Sequence, residues 1–170
     1  MNPSFEEIFE AHKDRVLSLC YRYLQQKQEA EDAVQDIFVK IYFKRKAFRA
    51  EAQLSTWIYR ISVNHCLDIL KSNKRKHRLQ QIVALLPFIE GQLAEQAGNM
   101  TIEAKEGHNN IMHCVQKLPK KQMTVLVLNK LEGLPLDKVA QIMGLSYKAT
   151  ESLLQRAKQN LQKQLAQAKD

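Results

Sequence analysis

The chain has little that interrupts a helix. Five Gly and four Pro in 170 residues leave long unbroken stretches, and no alternation of apolar and polar residues is sustained. β-Sheet architectures are therefore excluded and an all-α fold is predicted. The three cysteines, Cys20, Cys66 and Cys114, are odd in number and widely spaced on apolar or half-apolar helix positions. That argues against a disulfide framework and predicts buried free thiols. His65-Cys66 and His113-Cys114 lack the CxxC or HxxxH spacing that sets two ligands on one ion, so neither a metal nor a cofactor is expected. No apolar run nears the roughly 18 residues of a membrane helix, and the start, MNPSFEEIFEAHKDR, has no basic-then-apolar pattern. A cytoplasmic location without membrane insertion is expected. A Gly-rich phosphate loop, a nucleophile beside its base and a paired-carboxylate site are all missing, which argues against an enzyme.

What the chain has in excess is positive charge. Lys and Arg number 26 against 18 Asp and Glu, a net charge of +8 and a pI of about 9.4, an imbalance that accompanies a polyanionic partner. Residues 109–170 carry ten basic and four acidic side chains. Residues 79–108 reverse the balance, with Lys105 against four Glu. This middle section is broken at Pro87, Gly91 and Gly98, so it reads as a linker over 78–108, with a short helix around Leu79 to Leu86, between blocks 1–77 and 109–170. About 30 extended residues reach on the order of 100 Å, so the two blocks need not touch.

The sharpest pattern is LEGLPLDKVAQIMGLSYKATESLLQRAK, Leu131 to Lys158. Pro135 suits a first helical turn, and Leu136, Val139, Ala140 and Met143 repeat at the spacing of one buried face. Gly144 supplies the positive φ that ends this helix, and the Ser146 hydroxyl can cap the next. In that second helix Leu154, Ala157, Leu161 and Leu165 face inward, while Lys148, Glu151, Ser152, Gln155 and Gln159 share a polar side. The pattern is that of a helix-turn-helix able to enter a major groove. A plain helical hairpin with a solvated face has the same periodicity.

Residues 1–77 read as three amphipathic helices. Ser4 and Glu7 form a capping-box pattern before a face of Phe5, Ile8, Phe9, Val16, Leu19, Cys20 and Tyr23. The second helix, Glu29 to about Lys44, buries Ala30, Ala33, Val34, Ile37, Phe38 and Ile41 and presents Glu31, Asp32, Gln35 and Asp36 on its other side. These carboxylates either complement the helix dipole or bind a basic partner. On the third helix, capped by Ser55, the residues Ile58, Ile61 and Ile69 face the core. Trp57, Arg60, Asn64, Asp68, Lys71 and Arg75 recur every three or four residues along one side. An aromatic, amide and guanidinium donors and a cationic end suit single-stranded nucleic acid, though a half-buried core Trp beside a solvated face fits the same spacing.

EDAVQDIFVKIY, then FRAEAQLSTWIYRISVNHCLDILKSNKRK, then QKLPKKQMTVLVLNKLEGLPLDKVAQIMGLSYKATESLLQRAKQNL resemble a bacterial sigma factor of the extracytoplasmic-function type. The likeness covers nearly the whole chain. It implies a region 2 domain, a region 4 domain, core RNA polymerase and promoter DNA as partners, and leaves room for an anti-sigma factor. By the same resemblance, Asp32, Gln35 and Asp36 would meet polymerase. Phe48 and Arg49, in the loop FRAEAQ, would capture a flipped base of the minus-10 element beside Trp57. Arg60, Asn64 and Asp68 would line that base, with Lys71, Lys74 and Arg75 near upstream phosphates. The helix beginning at Ser146 and Tyr147 would enter the minus-35 major groove, with Lys148, Glu151, Ser152 and Gln155 near bases and Arg156 and Lys158 on phosphates. Thr150, Glu151 and Leu153 depart from the family pattern and point to a different minus-35 sequence, because Glu can accept from cytosine N4. The competing reading is a stand-alone helix-turn-helix regulator, which leaves the acidic helix and the Trp57 stripe without a role.

Overall fold

The computed structural model describes residues 3–48, 53–85 and 108–167, and every regular element among them is helical. Helix α1 spans Phe5–Leu24 and opens on the expected capping box: the Ser4 amide donates to Glu7 Oε2 at 2.7 Å and the Glu7 amide to Ser4 Oγ at 3.2 Å. It stops at Gln25, which takes a left-handed φ of 59° while its side-chain amide donates to the Arg22 carbonyl at 2.8 Å. That local bond offsets part of the strain of a non-glycine residue there. Helix α2, Lys27–Lys44, follows at once and ends in a 3₁₀ turn, Arg45–Ala47. Helix α3 is a single rod, Leu54–Leu85.

These three helices pack Leu19, Cys20 and Tyr23 of α1 against Ala30, Ala33, Ile37 and Ile41 of α2 and Ile58, Val63 and Cys66 of α3. Phe9 and Phe38 close one end edge to face, centroids 4.7 Å apart. All three cysteines are free and buried, and the sulfurs of Cys20 and Cys66 stand 3.6 Å apart in the core.

Two boundaries differ from the expectation. The first turn of α3 closes on Gln53, whose carbonyl accepts from the Trp57 amide at 3.2 Å, so Ser55 lies inside the helix and is not its cap. Residues 78–85, expected to belong to the linker, continue α3, because nothing before Pro87 interrupts a helix. Pro87, Gly91 and Gly98 lie outside the described residues.

The second unit comprises α4 (His108–Lys117), α5 (Lys120–Leu126), a π-helical turn (Val127–Leu131), α6 (Leu136–Met143) and α7 (Tyr147–Gln167). Met123, Val125, Leu128, Val139, Ile142, Leu154 and Ala157 fill its core. The π turn hands Glu132 back toward the first unit, its amide donating to the Val127 carbonyl at 2.9 Å.

The two blocks do touch, contrary to the independence that a long linker allows: their buried residues form one continuous cluster. A linker of that reach permits separation but supplies no force to maintain it, whereas apolar surface at the end of α1 favours contact. Tyr23 is wholly buried there beside Thr124, and Gln116 Nε2 donates to the Tyr23 carbonyl at 3.1 Å. Arg22 Nε reaches Glu132 Oε1 at 2.7 Å, with the Glu132 side chain only 6% exposed. Burial raises the Glu132 pKa above the usual carboxylate value, and Arg22 offsets part of that rise.

A raised carboxyl pKa means that the folded state binds the proton more tightly than the unfolded chain. Glu132 therefore contributes most below the ordinary value of 4.5 and loses that contribution as pH rises through its folded pKa. Glu132→Gln keeps an acceptor for Arg22 and avoids burying a charge. It should gain stability relative to the parent between acid and neutral pH, and urea midpoints across that range check it. Arg22→Ala should cost up to about 3 kcal/mol at neutral pH, because it removes the cation in contact with a buried carboxylate and leaves only the farther charge of Arg15.

Candidate nucleic-acid interface

Along α3 the inward side is core and the outward side is the expected stripe. Ile58, Val63 and Cys66 are buried, whereas Arg60, Asn64, Asp68, Lys71, Lys74 and Arg75 are exposed. Ile61 and Ile69 are only half-buried at the margin. Trp57 is half-buried too, packed against the core on one side and against Phe48 on the other, with ring centroids 5.2 Å apart. A tilted aromatic pair, its ring planes 46° apart, therefore stands where the loop FRAEAQ meets α3. Arg49 and the next three residues of that loop lie outside the described residues.

The upper part of the stripe faces the second unit. The Arg60 guanidinium donates through Nε to the carbonyls of Gln141 and Ile142, each at 3.2 Å, and through Nη2 to Gln141 again. Those carbonyls belong to the last turn of α6, where a helix leaves acceptors unpaired and favours a cation. Lys138 Nζ donates to Gln53 Oε1 beside this contact. Arg60 and Asn64 share a cleft of about 360 Å³ with Lys120, Lys121, Gly144 and Leu145. The cations around it and the absence of an acid among its lining residues make it electropositive.

The acidic side of α2 is likewise presented to solvent. Asp32, Gln35 and Asp36 are exposed, and Asp32 accepts from Gln28 at 3.2 Å. Val39 and Phe43, 54% and 76% exposed, continue the same side by one and two turns and were not among the expected contacts. Their signal was available: they are apolar residues that fall off the buried stripe of α2.

In the helix-turn-helix, α6 ends at Gly144 with φ 67°, and the Leu145 amide returns to the Ala140 carbonyl at 3.0 Å. Ser146 Oγ accepts from the Ala149 amide at 3.2 Å and so caps α7. Tyr147, Lys148, Glu151, Ser152, Gln155, Arg156 and Lys158 are all exposed on α7. Thr150 and Leu153 are buried, so two of the three departures from the family pattern are packing positions, and only Glu151 changes the outward surface.

Residues 8–76 match the Sigma-70 region 2 family, and residues 108–161 match the Sigma-70 region 4 family. The chain is 31% identical to the ECF RNA polymerase sigma factor SigW of Bacillus subtilis, over 95% of its own length and 89% of that protein. It belongs to the ECF sigma factors of RNA polymerase. This sigma factor is also 26% identical to the RNA polymerase sigma-H factor of Pseudomonas aeruginosa, covering 95% and 86% of the two chains. Its fold resembles the sigma factor RpoE solved with the anti-sigma factor NepR from Bartonella quintana (TM-score 0.65, 20% identity, 95% and 96% of the two chains covered). It equally resembles CnrH solved with the cytosolic domain of CnrY (TM-score 0.65, 22% identity, 95% and 87% covered). As a member of its family, this sigma factor binds core RNA polymerase and directs promoter recognition for transcription initiation. Among its described residues no helix is long and apolar enough to cross a membrane.

Gly144 sets the angle between α6 and α7, and no atom lies within 4 Å of where its Cβ would stand. The cost of Gly144→Ala is therefore conformational alone, about 1 kcal/mol. The unfolding free energy from chemical denaturation should fall by that amount, with helical content unchanged in circular dichroism.

Proposed function

We propose that this sigma factor docks on polymerase through Asp32, Gln35 and Asp36 of α2, captures the opened minus-10 element along α3, and reads the minus-35 element with α7. The observation that carries the reading is the α3 stripe: an aromatic pair, Phe48 and Trp57, is followed by Arg60, Asn64 and Asp68 at one-turn spacing and then by cations. A base leaving the duplex stacks on the aromatics and offers its edge to the polar groups, while Lys71, Lys74 and Arg75 meet the phosphates. On α7, Lys148, Glu151, Ser152 and Gln155 face bases and Arg156 and Lys158 face the backbone, with Ser146 and Tyr147 at the groove entrance.

The protein acts without catalysing a reaction itself and works in the cytoplasm, where polymerase is. Its domains correspond to residues 1–77 and 109–170, joined by a linker over 78–108 into which α3 continues as far as Leu85. A stand-alone helix-turn-helix regulator accounts only for residues 108–161. An anti-sigma factor is a further expected partner, a reading supported by two fold neighbours having been solved with such proteins.

Reading two promoter elements on one duplex requires the units to part, because Arg60 here gives its donors to the backbone of α6. Two outcomes test the assignment. Asn64→Ala should lower in vitro transcription with core polymerase and the permanganate reactivity of the minus-10 region. Closed-complex binding should be almost unchanged; promoters that open as well as with the parent would remove α3 from base capture. A short bismaleimide bridge between Arg22→Cys and Glu132→Cys, a pair that meets between the units and carries no proposed DNA or polymerase contact, should abolish promoter opening while the uncrosslinked double variant opens normally. Full activity of the bridged protein would show that the units need not separate.

A further inference from the structure

Asp36 and Lys40 stand one turn apart on α2, acid before base, the arrangement that ordinarily forms an i,i+4 ion pair. Among the described residues Lys40 makes no ion pair. Its Nζ lies instead 2.6 Å from Nδ1 of His65, a residue of α3 whose side chain is 11% exposed. The other ring nitrogen, Nε2, faces Asp36 Oδ2 at 3.4 Å, and Asp36 remains 67% exposed. Burial, and then the Lys40 charge, holds the His65 pKa below the ordinary histidine value. The ring is accordingly neutral near pH 7: Nδ1 keeps the lone pair that accepts from Lys40, and the proton sits on Nε2 toward the carboxylate.

We propose that His65 is a positioning residue for polymerase docking, drawing the Lys40 ammonium away from Asp36 so that the carboxylate face of α2 stays open to a basic partner. The inference rests on Asp36 being a polymerase contact. Without the imidazole, Lys40 loses this acceptor, and Asp36, one turn earlier on its own helix, is the carboxylate it falls back on, which neutralises locally the charge that would be offered. Exposed i,i+4 pairs are weak, so the effect is graded rather than all-or-none.

The test measures affinity for core polymerase with the full chain and a set of variants. His65→Ala should weaken binding about two- to fivefold, the scale of one surface ion pair. His65→Gln, whose amide oxygen can still accept from Lys40, should bind like the parent. In a Lys40→Gln background His65→Ala should have no further effect, because the competing cation is gone; a merely structural histidine would cost the same in both backgrounds. Equal losses in the two backgrounds, or unchanged affinity for His65→Ala alone, would overturn the proposal. Asp36→Asn separates this from the underlying reading. If that variant binds polymerase like the parent, Asp36 is not a contact; if it binds weakly while His65→Ala does not, only the role of His65 falls. Thermal unfolding of each variant shows whether it is folded, and if His65→Ala is not, His65→Leu, which fills the space without an acceptor, is compared in the two Lys40 backgrounds with the same expected outcomes.

Discussion

The contact between Arg22 and Glu132 is the constraint around which the two helical units are arranged. A carboxylate buried to this degree is tolerated only with a cation at hand, so the end of α1 and the turn after the π helix must meet in one register. Once they meet, Tyr23 is enclosed beside Thr124, and the last turn of α6 comes to rest against α3. The pair contributes more to the specificity of this packing than to its stability, since burial raises the Glu132 pKa even with Arg22 present.

The arrangement has a functional reading because of which groups it occupies. Arg60 lies on the exposed side of α3, yet its guanidinium donates to two carbonyls at the end of α6, one of which, that of Gln141, also accepts from the Gly144 amide. Water can replace those bonds at little net cost, so the contact holds the units together without committing the chain to it. A polyanion offered to the same guanidinium competes directly. The electropositive cleft around Asn64, Lys120 and Lys121 lies at this same contact between the units.

Helix α3 links the proposed surfaces. At about 1.5 Å per residue its 32 residues make a rod of about 48 Å, with the core on one side and the polar stripe on the other. It also holds α2 in place, through the shared apolar core with Ile37 and Ile41, Asn73 Nδ2 on the Glu29 carboxylate at 3.2 Å, and His65 on Lys40. Polymerase docking and base capture, if placed on α2 and α3, are therefore carried by elements fixed to each other by packing and by polar bonds alike.

The features legible in the amino-acid sequence are those written within one or two helical turns. The Ser4–Glu7 capping box, the Gly144 stop, the Ser146 cap and the apolar stripes of α1, α2 and α7 depend on periodicity and on local backbone bonding, which neighbouring residues decide. The exposure of the α3 stripe follows in the same way, as the reverse of its buried side. The meeting of the two units was not legible. Its partners are far apart in the chain, 110 residues between Arg22 and Glu132 and 81 between Arg60 and Gln141, and one of them is a backbone carbonyl, which every residue has. Nor could periodicity place His65 between Asp36 and Lys40, because that depends on how α3 lies across α2. Periodicity states which side of a helix is buried; only tertiary packing states against what, and so which charges are neutralised and which remain free to bind.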